Sequence, residues 1–181
     1  MRKIHAIWGA AAGVFVLAGV ILCALGLRHG VLLVKTDHDP SRTVGEFFGA
    51  LAADEPETAY GCLSNYTTLG LENVPRTEDG ALLLAALRDN RRCTLLGAAQ
   101  RHGDTARQSI RLRFLDLDAL ETSILSGQFA DIPSALDDAE ALCGEAELTV
   151  TLRFDGESWK IVMDRALLDA IQGHTPEEGA A

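Results

Sequence analysis

The sequence predicts an α+β chain: an N-terminal transmembrane helix, then helices packed on one face of a curved antiparallel sheet. Three observations predict it. Residues Ile7 to Leu27 run without a charge. Apolar residues between Val44 and Leu87 then recur at the helical spacing of i, i+3, i+4 and i+7. After Cys93 the apolar period shortens to two and the strands come as hairpins, without single strands alternating with helices.

The run from Ile7 to Leu27 (IWGAAAGVFVLAGVILCALGL) would span roughly 31 Å as a helix, the thickness of a bilayer's hydrocarbon core. Arg2 and Lys3 precede it, Trp8 sits at the level of one interface, and Arg28 and His29 follow. A cleavable signal has a shorter apolar region before a small-residue site, and here the best such site, Ala24-Leu25-Gly26, comes only after the longer run, so the segment reads as a retained anchor. Leu22 stands before Cys23 where a lipoprotein motif wants Gly, Ala or Ser, which argues against lipidation. The flanking charges nearly tie, with Arg2 and Lys3 against Arg28, Lys35 and Arg42. The arrangement of a short tail, one anchor and a large C-terminal domain puts the domain on the extracytoplasmic side. The expected organisation is an anchor at 1–30, a linker at 31–40, a folded domain at 41–173 and a loose tail at 174–181.

Within the domain, Ser41 is placed to cap a first helix whose Val44, Phe47, Phe48 and Leu51 share a face. Asp54 and Glu57 form a capping-box pattern for a second short helix through Ala59, Tyr60 and Leu63. Thr77 opens a third, with Leu83, Leu84 and Leu87 inward and the basic pair Arg91 and Arg92 near its end. Cys93 to Gln100 reads as a strand, His102-Gly103-Asp104 as a turn, and Ile110, Leu112 and Phe114 as the apolar face of the returning strand. Leu115 and Leu117 fall out of that phase, so the strand either bulges or ends before a helical stretch from Leu120 to Leu125. Ser134 with Asp137 suggests another cap, for a helix closed by Gly144. Leu148, Val150, Leu152 and Phe154 alternate strictly, Asp155 to Ser158 turns the chain, and Trp159 to Met163 returns. Asp164 caps a closing helix through Leu167, Leu168 and Ile171, ended by Gly173.

A chain of 181 residues is one domain's worth, and at 48% hydrophobic residues it is globular in composition. From position 36 onward 12 basic residues face 26 acidic ones, a formal charge of −14. Such a body repels phosphate backbones and anionic headgroups, which argues against a nucleic-acid partner. Cys62, Cys93 and Cys143 are odd in number and too widely spaced for a C-x-x-C motif, which leaves their pairing open. The sequon Asn65-Tyr66-Thr67 has meaning only in a eukaryotic secretory pathway.

The stretch Thr43 to Leu51, the segment Asp54 to Leu63 with Ala59-Tyr60 inside it, and Phe154 to Ile161 resemble the exported NTF2-like (cystatin-like α+β) domains of bacterial membrane proteins and lipoproteins. The resemblance covers roughly 41–172, and the extra helical matter between Leu120 and Gly144 departs from it. It implies a conical half-barrel with a pocket between helices and sheet, in a family of both enzymes and non-catalytic binding domains. On that basis Tyr60, Tyr66, Asp116 and Trp159 are the candidate pocket residues. In NTF2-like isomerases an acid on the sheet with a tyrosine moves a proton beside a carbonyl, a role that Asp116 would take if it pointed inward.

The competing readings are bland ones. Asp116 and Asp118 fit a solvated strand end, Trp159 a core aromatic, and the acidic run from Asp131 to Glu147 a solvated helix face without calcium-loop spacing. No histidine is well placed for a base or a metal cluster, and no phosphate loop or nucleophile elbow occurs, so neither metal nor cofactor is expected. Three functions follow in order. The first is a membrane-anchored extracytoplasmic module that binds a protein, an envelope component or a small ligand without catalysis. The second is a structural, self-assembling envelope domain, whose sign would be an apolar outer sheet face pairing two copies. The third is an NTF2-like enzyme with a buried carboxylate base.

Overall fold

The computed structural model describes residues 39–65, 68–70 and 76–176. The candidate span Ile7 to Leu27, most of the linker, Tyr66, Thr67 and the last five residues lie outside the described residues. Among the described residues no helix is long and apolar enough to cross a membrane. These residues form an α+β domain of six α-helices and a five-stranded antiparallel sheet.

Helix α1 (Pro40–Ala52) buries the expected face of Val44, Phe47, Phe48 and Leu51. Its cap is Asp39 rather than Ser41. Pro40 takes the first helical turn, where its missing N–H is no loss, so the capping position falls two residues earlier than the sequence suggested. Ser41 is thereby released, and its hydroxyl donates to Gln108 Oε1 at 2.7 Å inside the core. The capping box at Asp54 and Glu57 does not form either. Asp54 takes a left-handed conformation with φ +58°, and the Glu55 N–H donates to Ala50 O at 2.9 Å, the six-residue closure that ends a helix. Helix α2 (Pro56–Gly61) therefore starts at Glu55 without a side-chain cap.

Helix α3 (Glu78–Asp89) is capped by Thr77, whose hydroxyl accepts from the Gly80 N–H at 3.1 Å. Strands β1 (Arg92–Leu95) and β2 (Gln100–His102) both pair with β3 (Thr105–Leu115), so the strand expected over Cys93 to Gln100 is one edge with an interruption. Gln108 explains how the interruption is held. It is fully buried on the core face of β3, and its amide donates to Gly97 O at 3.2 Å and Ser109 O at 2.8 Å while its carbonyl accepts from Ser41. Every polar atom of that side chain is thus engaged, as burial demands.

The phase slip at Leu115 resolves as a strand end. Phe114 and Leu115 are both buried, but in different clusters. Asp116 then caps helix α4 (Leu117–Leu125) by accepting from the N–H groups of Asp118 and Ala119, each at 3.0 Å. The next cap is Asp131, in a reciprocal box with Ser134, and it opens the short α5 (Ile132–Leu136). A 3-10 turn (Ala139–Leu142) follows, and Gly144 belongs to β4 (Cys143–Phe154) rather than to a helix end. Its lack of a side chain matters there, since an added Cβ would stand 3.3 Å from the Phe114 ring.

Strand β4 pairs with β3 over its length, from Thr105 opposite Arg153 to Leu115 opposite Cys143, and with β5 (Trp159–Val162) on its other side. Asp155 closes the hairpin by accepting from the N–H groups of Glu157 and Ser158. Helix α6 (Arg165–Gln172) has Asp164 as its cap and Gly173 as its left-handed terminus. At the start of the expected tail, His174 and Thr175 meet Asp118 and Asp116 at 3.1 Å each.

The helices α1 and α6 cover the core face of the sheet, where Val44, Phe47, Ile110, Leu112, Leu152 and Ile161 are fully buried. Each such side chain contributes about 1.5 to 3 kcal/mol relative to exposure. A second cluster around Leu87, Leu115, Leu120, Ala135 and Leu142 binds α4 and α5 to α3. The outer sheet face is polar: Thr105, Arg107, Ser109 and Arg111 on β3 lie beside Glu145, Glu147, Thr149 and Arg153 on β4, all exposed. Arg111 donates to Glu147 directly across the strands at 2.7 Å. The apolar outer face that would mark self-pairing through the sheet is not present among these residues.

Candidate functional site

A cavity of about 570 Å³ opens between the end of α1, α2 and α3. That volume lies within the usual range for small-molecule sites, roughly 300 to 1,000 Å³. Its position follows from two local facts. Asp54 turns the chain sharply after α1, which swings α2 across the helix end, and α3 packs with its alanine face, Ala81 and Ala85, toward the space. Alanines leave room where larger side chains would have filled it. Leu51, Leu69, Leu84 and Leu87 supply most of the remaining wall, together with Pro56.

Four polar side chains complete the lining: Asp54, Tyr60, Arg88 and Arg91. Tyr60 accepts a hydrogen bond from the Leu69 N–H at 3.3 Å, which turns its hydroxyl toward the 68–70 segment. Arg88 is half-exposed and already paired, its Nε donating to Asp89 at 3.1 Å. Arg91 differs. Only 7% of it is exposed, its Nη2 donates to the Ile171 carbonyl at 2.7 Å, and its Nε has no hydrogen-bond partner. Burial alone brings its pKa down to about 10, and no carboxylate among the described residues forms an ion pair with it. At neutral pH it is therefore a cation taken out of water with incomplete compensation, an arrangement that ordinarily costs several kcal/mol.

The bond to Ile171 gives Arg91 a structural purpose, since that carbonyl lies in the last turn of α6, where acceptors are unmatched and the helix dipole favours a cation. That purpose engages one edge of the guanidinium only. Sequence reasoning took Arg91 and Arg92 as a basic pair at a helix end and missed the distinction between them. A signal was available: Arg91 follows Leu87 by four residues, so the inward face of α3 projects onto it, whereas Arg92 falls on the outer side.

The candidate pocket residues separate. Tyr60 lines the cavity, and Tyr66 lies outside the described residues. Asp116 is not in it, because both of its oxygens are committed elsewhere, to the first turn of α4 and to the Thr175 hydroxyl. The acid and the tyrosine of an isomerase-like pair are thus not brought together by Asp116 and Tyr60. Trp159 is 1% exposed, packed on Phe154 at 5.4 Å with the Arg101 guanidinium 5.1 Å from its ring centroid, so it is a core aromatic. It borders only a smaller hollow of about 200 Å³ with Arg42, Glu46 and Lys160.

The three described cysteines are all unpaired thiols. Burial pushes the Cys93 thiol up to about 11 and raises that of Cys62, which keeps both protonated and unreactive near neutrality. Among the described residues no group of three or more His, Cys, Asp or Glu converges as a metal cluster would. No protein-family model, no curated protein and no solved structure matches the chain.

Proposed function

We propose that the chain is a membrane-anchored, extracytoplasmic binding module of the NTF2-like type, which holds a small, largely apolar ligand between its helices without transforming it. The observation that carries this reading is the cavity itself: a leucine-walled space of about 570 Å³ with few polar groups. A concave, mostly apolar space of that size with a few polar groups in its wall is the usual form of a small-molecule site. Two features of the sequence support the anchor and the type, namely the uncharged run Ile7 to Leu27 and the pattern of α1, α2 and the last hairpin.

The binding test uses full-length protein in nanodiscs of zwitterionic lipid, titrated with small neutral amides bearing aliphatic or aromatic tails and followed by saturation-transfer NMR. Transfer should occur in the wild type and disappear in Ala85→Trp, which places an indole in the cavity. Transfer that survives the indole, or that empty nanodiscs reproduce, would reject the cavity as the binding site. The sidedness test replaces the native cysteines and labels Ala181→Cys with a membrane-impermeant reagent on intact cells. Labelling only after lysis would reverse the extracytoplasmic assignment.

A further inference from the structure

We propose that the ligand of this cavity is a carboxylate-bearing molecule with an apolar body, and that Arg91 is the counter-ion of its acid group. This rests on the small-ligand reading above and narrows it to one chemical class. The argument begins with what the wall contains. Apart from Tyr60, its polar groups are one acid and two bases, and the three ionisable groups are not equivalent. Arg88 is matched by Asp89 and stays in contact with water. Asp54 sits at the left-handed turn after α1 and forms no ion pair with either arginine. Among the described residues of the wall, Arg91 alone is both buried and without an acidic partner; its Nε makes no hydrogen bond but is itself shut off from the cavity, so the charge of the guanidinium, not that nitrogen, is what a ligand would meet.

A neutral apolar ligand would make that situation worse, because it would displace water from the cavity and leave the cation in a still less polarisable setting. A carboxylate placed against the guanidinium reverses the sign of the effect. The same desolvation then strengthens the attraction, and the charge-assisted hydrogen bonds to arginine are among the stronger ones available to a protein. The leucine walls receive the apolar body, so an acid with a hydrocarbon or aromatic tail matches both parts of the site. A large polyanion does not fit, since the volume is that of a small molecule and Asp54 lies in the wall.

The test compares 4-phenylbutyrate with 4-phenylbutanamide, which share a tail and differ in the charged head, by calorimetry at pH 7 on the full chain in zwitterionic nanodiscs. The acid should bind at least about ten-fold more tightly than the amide. Arg91→Gln should bring the acid down to the amide's affinity, and Arg88→Gln should preserve the ratio. Equal binding of acid and amide to the wild type overturns the proposal and leaves the cavity reading standing. Binding of neither, or binding untouched by Ala85→Trp, removes the cavity reading and this proposal with it. If Arg91→Gln does not fold, the wild-type ratio and Arg88→Gln decide: a ratio lost in Arg88→Gln assigns the counter-ion to Arg88 and overturns the role given to Arg91.

Discussion

Gly173→Ala should destabilise the domain by about 2 to 5 kcal/mol, more than the same exchange at Gly127. Gly173 ends α6 with φ +88° and ψ 22°, a conformation that costs an L residue roughly 1 to 2 kcal/mol. The added methyl would also stand 2.7 Å from the carbonyl oxygen of Leu115, 2.8 Å from Leu117 Cγ and 2.9 Å from Leu87 Cδ2. The leucine side chains can shift. The carbonyl cannot shift cheaply, because it closes β3, and the Leu117 N–H just beyond it donates to the oxygen of Gly173 itself at 2.7 Å. Overpacking against a fixed neighbour adds about 1 to 3 kcal/mol. Gly127→Ala is the control, with φ +75° and nothing within 4 Å of the added carbon, so it reports the backbone cost alone. Urea unfolding of the nanodisc-held full chain, followed by tryptophan fluorescence, reads both losses. Equal losses for the two variants would refute the close seam between α6, the end of β3 and α4 on which this reasoning depends.

Other outcomes follow from the same structure. Gln108→Leu should cost about 1 to 3 kcal/mol, because it strands the buried Ser41 hydroxyl, while the Ser109 carbonyl keeps the Leu96 N–H and the exposed Gly97 carbonyl keeps water. Ser41→Ala in the same chain should recover part of that loss, and strict additivity of the two would show that the hydroxyl and amide are not coupled. Asp54→Gly should raise stability by roughly 0.5 kcal/mol, since glycine adopts the φ of +58° without a steric penalty; a measured loss would point to a role for the carboxylate in holding the turn. For Cys93 the sign is fixed by a thiol pKa that is higher in the folded than in the unfolded chain. The neutral thiol's contribution is complete below about pH 9 and lost as the pH rises toward 11, a decline that Cys93→Ala should abolish. An unfolding series that shows the same slope in both proteins would remove that attribution.

Local physics was legible in the sequence where it acts within a few residues. The apolar face of α1, the Thr77 and Asp164 caps, the turn at Asp155 and the alternation of Leu148, Val150 and Leu152 were all readable, because helical period, capping and strand period are properties of adjacent positions. The caps at Ser41 and Ser134 were misplaced by two or three residues for a related reason. Asp39 and Asp131 each precede a proline-led first turn, and the nearer serine competes with the aspartate on composition alone.

What the tertiary structure decided involves residues far apart in the chain. Gln108 and Ser41 meet across 67 positions to hold a broken edge, and Leu115 belongs to a second apolar cluster that no single segment announces. The charge was also sorted there. An acidic chain presents Arg92, Arg107, Arg111, Arg113, Arg153 and Lys160 at the outward register of its sheet, which summed charge could not show. Arg91 and Arg92 are the sharpest instance: neighbours of the same type, of which one is exposed on a strand and the other buried beside a cavity. Sequence fixes which groups are available through local periodicity, but burial and the presence or absence of a partner depend on which distant segments pack together. The chemistry of an arginine is therefore set by its surroundings, and only the folded chain supplies those.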